Sequence, residues 1–249
     1  MSPLFDLTGK AAVVTGGNGG IGLGIVEGLI EAGAQVLIVG RDKLKNGEAA
    51  AKTGAGAFAA DVTDPAQCRA AVAECERLFG RLDILVNNAG TNIRNRPEAL
   101  DPADWHKIID TNLTSTHLMC QAAYPLLKRE GGKVINIGSM MSIFGVPFSP
   151  AYAASKGGVV QYTKVLATAW AEDDIQANAI LPGWIDTELT RGARRQIDGL
   201  HDRVLARTPA ARWGEPRDMA GLAIFLAAPA SDFITGTAIP ADGGYSALG

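Results

Sequence analysis

The 249-residue chain has only three cysteines, Cys68, Cys75 and Cys120. They are too few and too scattered for a disulfide framework, and Cys68 and Cys75, seven apart on an expected helix, suit small packing residues. Histidine is as scarce. His106, His117 and His201 show no ligand spacing, so no metal site is expected. No apolar run approaches the ~20 residues of a membrane span. Residues 1–10 lack the basic-then-apolar pattern of a secretory leader. With 20% charged residues and a net charge of −3, no nucleic-acid surface is implied. No Pro/Ser-rich linker, internal repeat or composition break divides the sequence. These absences lead us to expect one domain over residues 1–249, in a reducing cytoplasmic setting.

What is there is 47% hydrophobic residues, enough for a sizeable core. Residues 10–15 (Lys-Ala-Ala-Val-Val-Thr) form a short run rich in valine and alanine, without alternation. That suits a strand buried on both faces of a parallel sheet. Similar runs fall at 34–39, 56–60, 82–86, 133–137, 175–181 and 236–240. Helical patterns separate them at 23–32, 44–52, 65–79, 105–127 and 152–171. Strands alternating with helices at these intervals predict an α/β, doubly wound, Rossmann-like fold with helices on both faces.

The first strand runs into Gly16-Gly-Asn-Gly-Gly20-Ile-Gly22. Strand, glycine-rich turn and helix together let backbone N–H groups and a helix N-terminus approach a pyrophosphate. Two registers fit. Gly17, Gly19 and Gly22 satisfy G-x-G-x-x-G; Gly16, Gly20 and Gly22 after Thr15 satisfy T-G-x-x-x-G-x-G. The second is preferred, because the strand ends at Thr15 and the first glycine should make the turn. After the second strand come Gly40, Arg41 and Asp42. An acid directly after that strand would hold a ribose 2′-OH, and an arginine nearby would accommodate a 2′-phosphate. With glycine first and Arg41 next, NADP is favoured over NAD. Asp42 works against this, since it could neutralise Arg41 or bind ribose itself. Asp61-Val62 closes the third strand and could place Asp61 near an adenine amino group.

Tyr152 and Lys156 lie four apart, on one face of the expected helix. A phenol titrates near 10 in water. A fixed ammonium beside it favours the phenolate and lowers that value, so Tyr152 could exchange a proton with a substrate oxygen. Ser139 is delivered at the end of the fifth strand. Asn112 falls within the 105–127 helix, where an asparagine facing a cleft kinks the helix or holds a water. Residues 188–216 form an insertion rich in arginine (Arg191, Arg194, Arg195, Arg203, Arg207, Arg212), placed to cover a bound substrate as a lid.

In this order, Thr15-Gly16-x-x-x-Gly20-x-Gly22, Asp61-Val62, Asn87-Asn88-Ala89-Gly90, Asn112, Ser139, Tyr152-x-x-x-Lys156, Asn178 and Pro182-Gly183 make the chain resemble the short-chain dehydrogenase/reductase family. The resemblance covers essentially the whole chain. It implies a seven-stranded parallel sheet in the order 3-2-1-4-5-6-7 and a homotetramer. It implies that Tyr152 is the general acid in reduction and the base in oxidation. Lys156 would tune Tyr152 and bind the nicotinamide ribose, Ser139 would hold the substrate carbonyl, and Asn112 would hold a relay water. Gly16, Asn18, Gly20, Ile21, Gly22, Arg41, Asp61, Val62, Asn88, Ala89, Gly90, Pro182 and Gly183 would line the dinucleotide. Ile185 and Thr187 would meet its carboxamide.

Within the family, residues 88–94 and 138–141 resemble those of sugar-acid dehydrogenases such as gluconate 5-dehydrogenase and 2-deoxy-gluconate 3-dehydrogenase. Arg94, with Asn92 and Asn95 beside it, pairs well with a carboxylate. Met140, Met141, Phe144, Phe148 and Trp184 would equally line an apolar pocket. Three readings follow: an oxidoreductase interconverting a secondary alcohol and a ketone of a sugar acid or polyol; a reductase of 3-oxoacyl thioesters or bulky ketones; and a non-catalytic dinucleotide-binding protein.

Overall fold

The computed structural model describes residues 2–248, so Met1 and Gly249, the outermost positions of the expected domain, lie outside it. Its seven strands are β1 (Ala11–Thr15), β2 (Gln35–Gly40), β3 (Gly56–Ala59), β4 (Ile84–Asn87), β5 (Gly132–Ile137), β6 (Ile175–Pro182) and β7 (Ala238–Ala241). All neighbours pair in parallel, in the order β3-β2-β1-β4-β5-β6-β7. Nine α-helices connect the described strands: α1 (Gly20–Glu31), α2 (Lys43–Thr53), α3 (Pro65–Phe79), α4 (Pro102–Ile109), α5 (Ser115–Leu127), α6 (Pro150–Ala169), α7 (Glu188–Gln196), α8 (Leu200–Arg207) and α9 (Ala220–Ala227).

The missing alternation in β1 has a direct cause. Ala12 and Val14 pack on one face against Ile25, Val26 and Leu29 of α1, together with Ala223 and Leu226 of α9. Ala11 and Val13 pack on the other face with Cys68, Ala71 and Cys75 of α3 and Met119 and Cys120 of α5. Both faces are covered, so every position from Ala11 to Val14 is apolar. Each fully buried Leu or Ile contributes about 1.5–3 kcal/mol. Short-range signals then set the helix ends. Asp64 caps α3 by accepting from the Ala66 and Gln67 N–H groups, and the helix stops where Gly80 turns left-handed.

The expected 105–127 helix is interrupted. Residues Asp110–Thr114 form a π-turn between α4 and α5, with Asn112 buried within it. A π-turn inserts one residue into the helical ladder and re-aims the side chains around it. The 188–216 insertion folds into α7 and α8, whose Ala193, Leu200 and Val204 pack on Trp213 and Trp184. No described helix is long and apolar enough to cross a membrane.

The strand order reverses between β1 and β4. The crevice outside the carboxyl ends of these two strands is where an open α/β sheet accepts a ligand.

Candidate active site

The turn between β1 and α1 is built around its glycines. Gly16 has φ +63°, and a Cβ on Gly22 would lie 2.3 Å from the Gly16 carbonyl oxygen and 2.4 Å from Asn88 Nδ2. Only this bare register lets the N-terminus of α1, which opens at Gly20, stand free at the sheet edge. It matches the preferred T-G-x-x-x-G-x-G reading. Thr15 and Asn88 bolt the turn to β4: Thr15 Oγ1 accepts from the N–H groups of Asn88 (3.0 Å) and Ala89 (3.1 Å), and Asn88 Nδ2 donates to the carbonyls of Thr15 and Gly16. Asn18 and Ile21 sit partly exposed in the same turn. The geometry is that of a phosphate cradle, and it fits the pyrophosphate of a dinucleotide.

At the end of β2, Arg41 is exposed and unencumbered by a hydrogen bond, while its charge helps hold the Asp61 carboxyl low. Asp42 Oδ1 accepts from the Leu44 and Lys45 N–H groups as the N-cap of α2, and no ion pair joins it to Arg41 among the described residues. Asp61 Oδ1 accepts from Thr63 N–H and Oγ1, which fixes the loop after β3, and Val62 is buried.

Ser139 follows β5 in extended backbone, its Oγ accepting from Met141 N–H. Tyr152 and Lys156 stand on the first turns of α6, with Lys156 Nζ 5.7 Å from the centre of the Tyr152 ring. Burial pushes the Tyr152 phenol above its usual value; the Ser139 side chain and the Arg94 guanidinium pull it back in part. Lys156 is 4% exposed, and burial brings its ammonium down to about 8. Its Nζ donates to the Ile137 carbonyl at 2.6 Å. The lysine is therefore held by the end of β5, beside the Tyr152 ring. A Cβ on Gly90 would stand 3.4 Å from Asn112 Oδ1 and 3.7 Å from Lys156 Nζ, so β4, the π-turn and α6 converge here.

Asn112 is tied to the loop after β4: Oδ1 accepts from Thr91 N–H, and Nδ2 donates to the Thr91 carbonyl and Ser155 Oγ. Both amide hydrogens are used, and the oxygen keeps a second lone pair.

Beside Tyr152 and Ser139 lies an open cleft lined by Asn92, Arg94, Trp184 and Leu189 among others. Met140, Met141 and Phe148 supply its apolar wall. Phe144 lies elsewhere, with the Arg207 guanidinium stacked near both it and Tyr245. Arg94 is half-buried, and its guanidinium donates to the Leu189 carbonyl and to Gln196 Oε1, both on α7. Asn92 Oδ1 and Trp184 Nε1 are buried without any hydrogen-bond partner. Asn92 was read from sequence only as a neighbour of Arg94.

The arginines of the insertion are mostly committed elsewhere. Arg191 and Arg194 pair with Asp186, Arg212 pairs with Asp218, and Arg203 donates to the Asp198 carbonyl. None of the six lines the cleft. Pro182 and Gly183 close β6, where a Cβ on Gly183 would strike Asp242 Cα at 2.6 Å. Ile185 is buried, and Thr187 caps α7 through its exchange with Thr190.

A glycine-cradled crevice at the reversal of a parallel sheet, with serine, tyrosine and lysine at its rim, defines a dinucleotide-dependent oxidoreductase. A family model described as enoyl-(acyl carrier protein) reductase matches residues 16–246. A 2-dehydro-3-deoxy-D-gluconate 5-dehydrogenase of Formosa agariphila is 40% identical over 98% of this chain and 95% of its own. A rhamnolipids biosynthesis 3-oxoacyl-[acyl-carrier-protein] reductase of Pseudomonas aeruginosa is 38% identical over 98% and 99%. The structure of a gluconate 5-dehydrogenase from Burkholderia cenocepacia in complex with NADP and tartrate superposes with a TM-score of 0.93 at 40% identity, covering 98% of each chain. The chain belongs to the short-chain dehydrogenase/reductase family. It is an NAD(P)-dependent oxidoreductase acting on alcohol and carbonyl groups.

Proposed function

We propose that the protein interconverts a secondary alcohol and a ketone of a sugar acid, with NADP(H) as its dinucleotide. The observation that carries this reading is Arg94. It is half-buried in the cleft that also holds Ser139 and Tyr152, and its charge acts on the Tyr152 phenol. A buried guanidinium beside the reacting carbonyl favours an anionic substrate. The unpaired Asn92 Oδ1 and Trp184 Nε1 suit a hydroxylated chain, which can donate to one and accept from the other. A wholly apolar substrate would leave both groups unsatisfied. The relatives named for keto-gluconates support the same class.

The dinucleotide supplies the hydride chemistry. It would be held by Gly16, Asn18, Gly20, Ile21 and Gly22 at its phosphates, with Arg41 toward a 2′-phosphate. Asp61 and Val62 would flank the adenine, and Asn88, Ala89 and Gly90 the crevice floor. Tyr152, Lys156, Pro182, Gly183, Ile185 and Thr187 would surround the nicotinamide end. In reduction, Ser139 Oγ donates a hydrogen bond to the substrate carbonyl oxygen. Tyr152 Oη gives its proton to that oxygen as negative charge develops there. The raised phenol keeps this proton at neutral pH. In oxidation, the same oxygen returns its proton to the Tyr152 phenolate. The Lys156 ammonium stabilises the phenolate that reduction leaves and oxidation starts from, and Asn112 keeps the π-turn in place behind both.

Residues 188–216 act as a lid over the cleft, a role supported by Leu189 and Thr190, which line it. A homotetramer is supported by large apolar side chains left exposed on one chain, Phe233, Val165 and Ile143. A cytoplasmic setting is supported by three buried, unpaired cysteines. The Pseudomonas relative keeps a thioester reductase as the second reading, and the methionine wall of the cleft favours it.

Replacing Arg94 tests the reading. The Arg94→Ala protein should show KM for a keto-sugar acid raised about 10–100-fold, on the scale of a charged hydrogen bond. Its KM for an uncharged ketone of similar size should be unmoved. Equal changes for both substrates would mean that Arg94 recognises no carboxylate.

A further inference from the structure

Behind the nucleotide end of the crevice lies a single buried amide that the reaction does not use. Asn46, on the first turn of α2, is 1% exposed. Its Nδ2 donates to the Gly40 carbonyl at the end of β2 (2.8 Å) and to the Phe58 carbonyl on β3 (3.0 Å). Its Oδ1 accepts from Asn18 Nδ2, in the glycine turn, at 2.6 Å. Both amide hydrogens are therefore used, and one side chain ties together α2, two strand ends and the phosphate cradle.

This amide occupies the space where a side chain on residue 40 would begin. A Cβ on Gly40 would stand 2.8 Å from Asn46 Oδ1 and 2.9 Å from Asn18 Nδ2, both closer than a real Cβ tolerates. Position 40 is the strand end at which a carboxylate would take a ribose 2′-OH. Any side chain there would begin against both amides, so one of the two bonded asparagines would have to give way. The neighbouring acid, Asp42, is engaged through Oδ1 as the cap of α2.

We propose that Asn46 is a specificity-positioning residue. It holds the Asn18 side chain and the end of β2 in the one arrangement that leaves room for a 2′-phosphate beside Arg41, and it bars an acid from residue 40. Discrimination between the two dinucleotides is thus set one layer behind the residues that would touch them. The proposal rests on the NADP reading above and adds what enforces it. It makes an unusual demand: a change of residue 40 alone cannot convert the protein to NAD, whereas a paired change with Asn46 can.

The test is a double-mutant cycle of Gly40→Asp and Asn46→Ala on the full chain. Dissociation constants for NADPH and NADH are read from reduced-nicotinamide fluorescence, and the thermal midpoint from the protein without dinucleotide. Gly40→Asp alone should lower the midpoint and lose NADPH affinity without gaining NADH affinity. Adding Asn46→Ala should cost less stability than the two single losses together. It should also tighten NADH about tenfold or more over the Gly40→Asp protein, within the range of coupling between touching residues. A purely structural Asn46 would leave the NADH-to-NADPH ratio unmoved in the double variant, and that result overturns the proposal. So does tight NADH binding by the Gly40→Asp protein with an unchanged midpoint. If that protein does not fold, Gly40→Ala poses the same steric question without charge, and additivity with Asn46→Ala counts against the gate. Failure of the NADP reading shows separately, as a wild-type preference for NADH, because the coupling between residues 40 and 46 is read whichever dinucleotide the wild type prefers.

Discussion

The nucleotide end and the substrate end of the crevice are built in opposite ways. At the nucleotide end, polar side chains are spent on the protein itself. Thr15, Asn88 and Asn46 hold backbone or a neighbouring asparagine, and at the phosphate turn what faces the crevice is bare glycine backbone at a helix start. At the substrate end, side chains do most of the facing. Arg94 reaches across to the carbonyl of Leu189 on the lid, and Asn92 and Trp184 keep buried hydrogen-bonding capacity in reserve. The first design suits a ligand common to a whole family of proteins, since backbone cannot easily drift with sequence. The second suits a ligand that differs from one relative to the next, because three or four side chains define it.

The largest effect should come from disabling the chemistry where the two ends meet. Tyr152→Phe should lower turnover by about 10²–10⁴-fold, the usual span for a lost general acid, while NADPH binds as before. Turnover near that of the wild type, with binding intact, would remove Tyr152 from the mechanism.

A second change should break the nucleotide end alone. Gly22→Ala places a methyl 2.3 Å from the Gly16 oxygen. It should cost about 1–3 kcal/mol of stability through overpacking and greatly weaken dinucleotide binding. Denaturant unfolding and fluorescence titration would measure both, and an unchanged protein would contradict the tight packing of this turn.

Lys156 sits between the two ends and offers a pH test. Burial lowers its ammonium from 10.5 to about 8 in the folded chain. Below pH 8 the folded protein carries a buried charge. From 8 to 10.5 the unfolded chain binds more protons, so stability from this group rises with pH. Lys156→Met should therefore be more stable than wild type at pH 7, by on the order of 1–3 kcal/mol. The gain should shrink between pH 8 and 10.5, then reverse slightly with the lost bond to Ile137. A stability difference independent of pH would mean that burial does not strain this lysine.

The same division explains what the sequence disclosed. α3 runs from Pro65 to Phe79, as its pattern predicts, because Asp64 and Gly80 mark its ends locally. The cradle was legible for the same reason: strand, glycines and helix are consecutive. The part played by Asn112 was not legible, because its partners Thr91 and Ser155 stand 21 and 43 positions away, whereas Asp42 caps α2 through residues two and three positions on, a local signal. Arg94 and Gln196 are 102 positions apart, and Asn18 and Asn46 are 28 apart. The π-turn was also hidden, since Asp110–Thr114 has no residue pattern that separates it from continuous α-helix. Asn46 read simply as part of a helix. Only the fold shows that it touches three other segments.

The central claim is that this cleft reads a polyhydroxy acid through Arg94 while Tyr152 moves the proton. Its most direct test is the initial rate of NADPH and NADH consumption on four substrates: a keto-gluconate, a neutral keto-polyol of the same length, acetoacetyl thioester and a bulky aryl ketone. The account predicts the highest kcat/KM on the keto-gluconate with NADPH, with the neutral keto-polyol about tenfold or more behind it. Faster reduction of the thioester or the aryl ketone than of the keto-gluconate would contradict it.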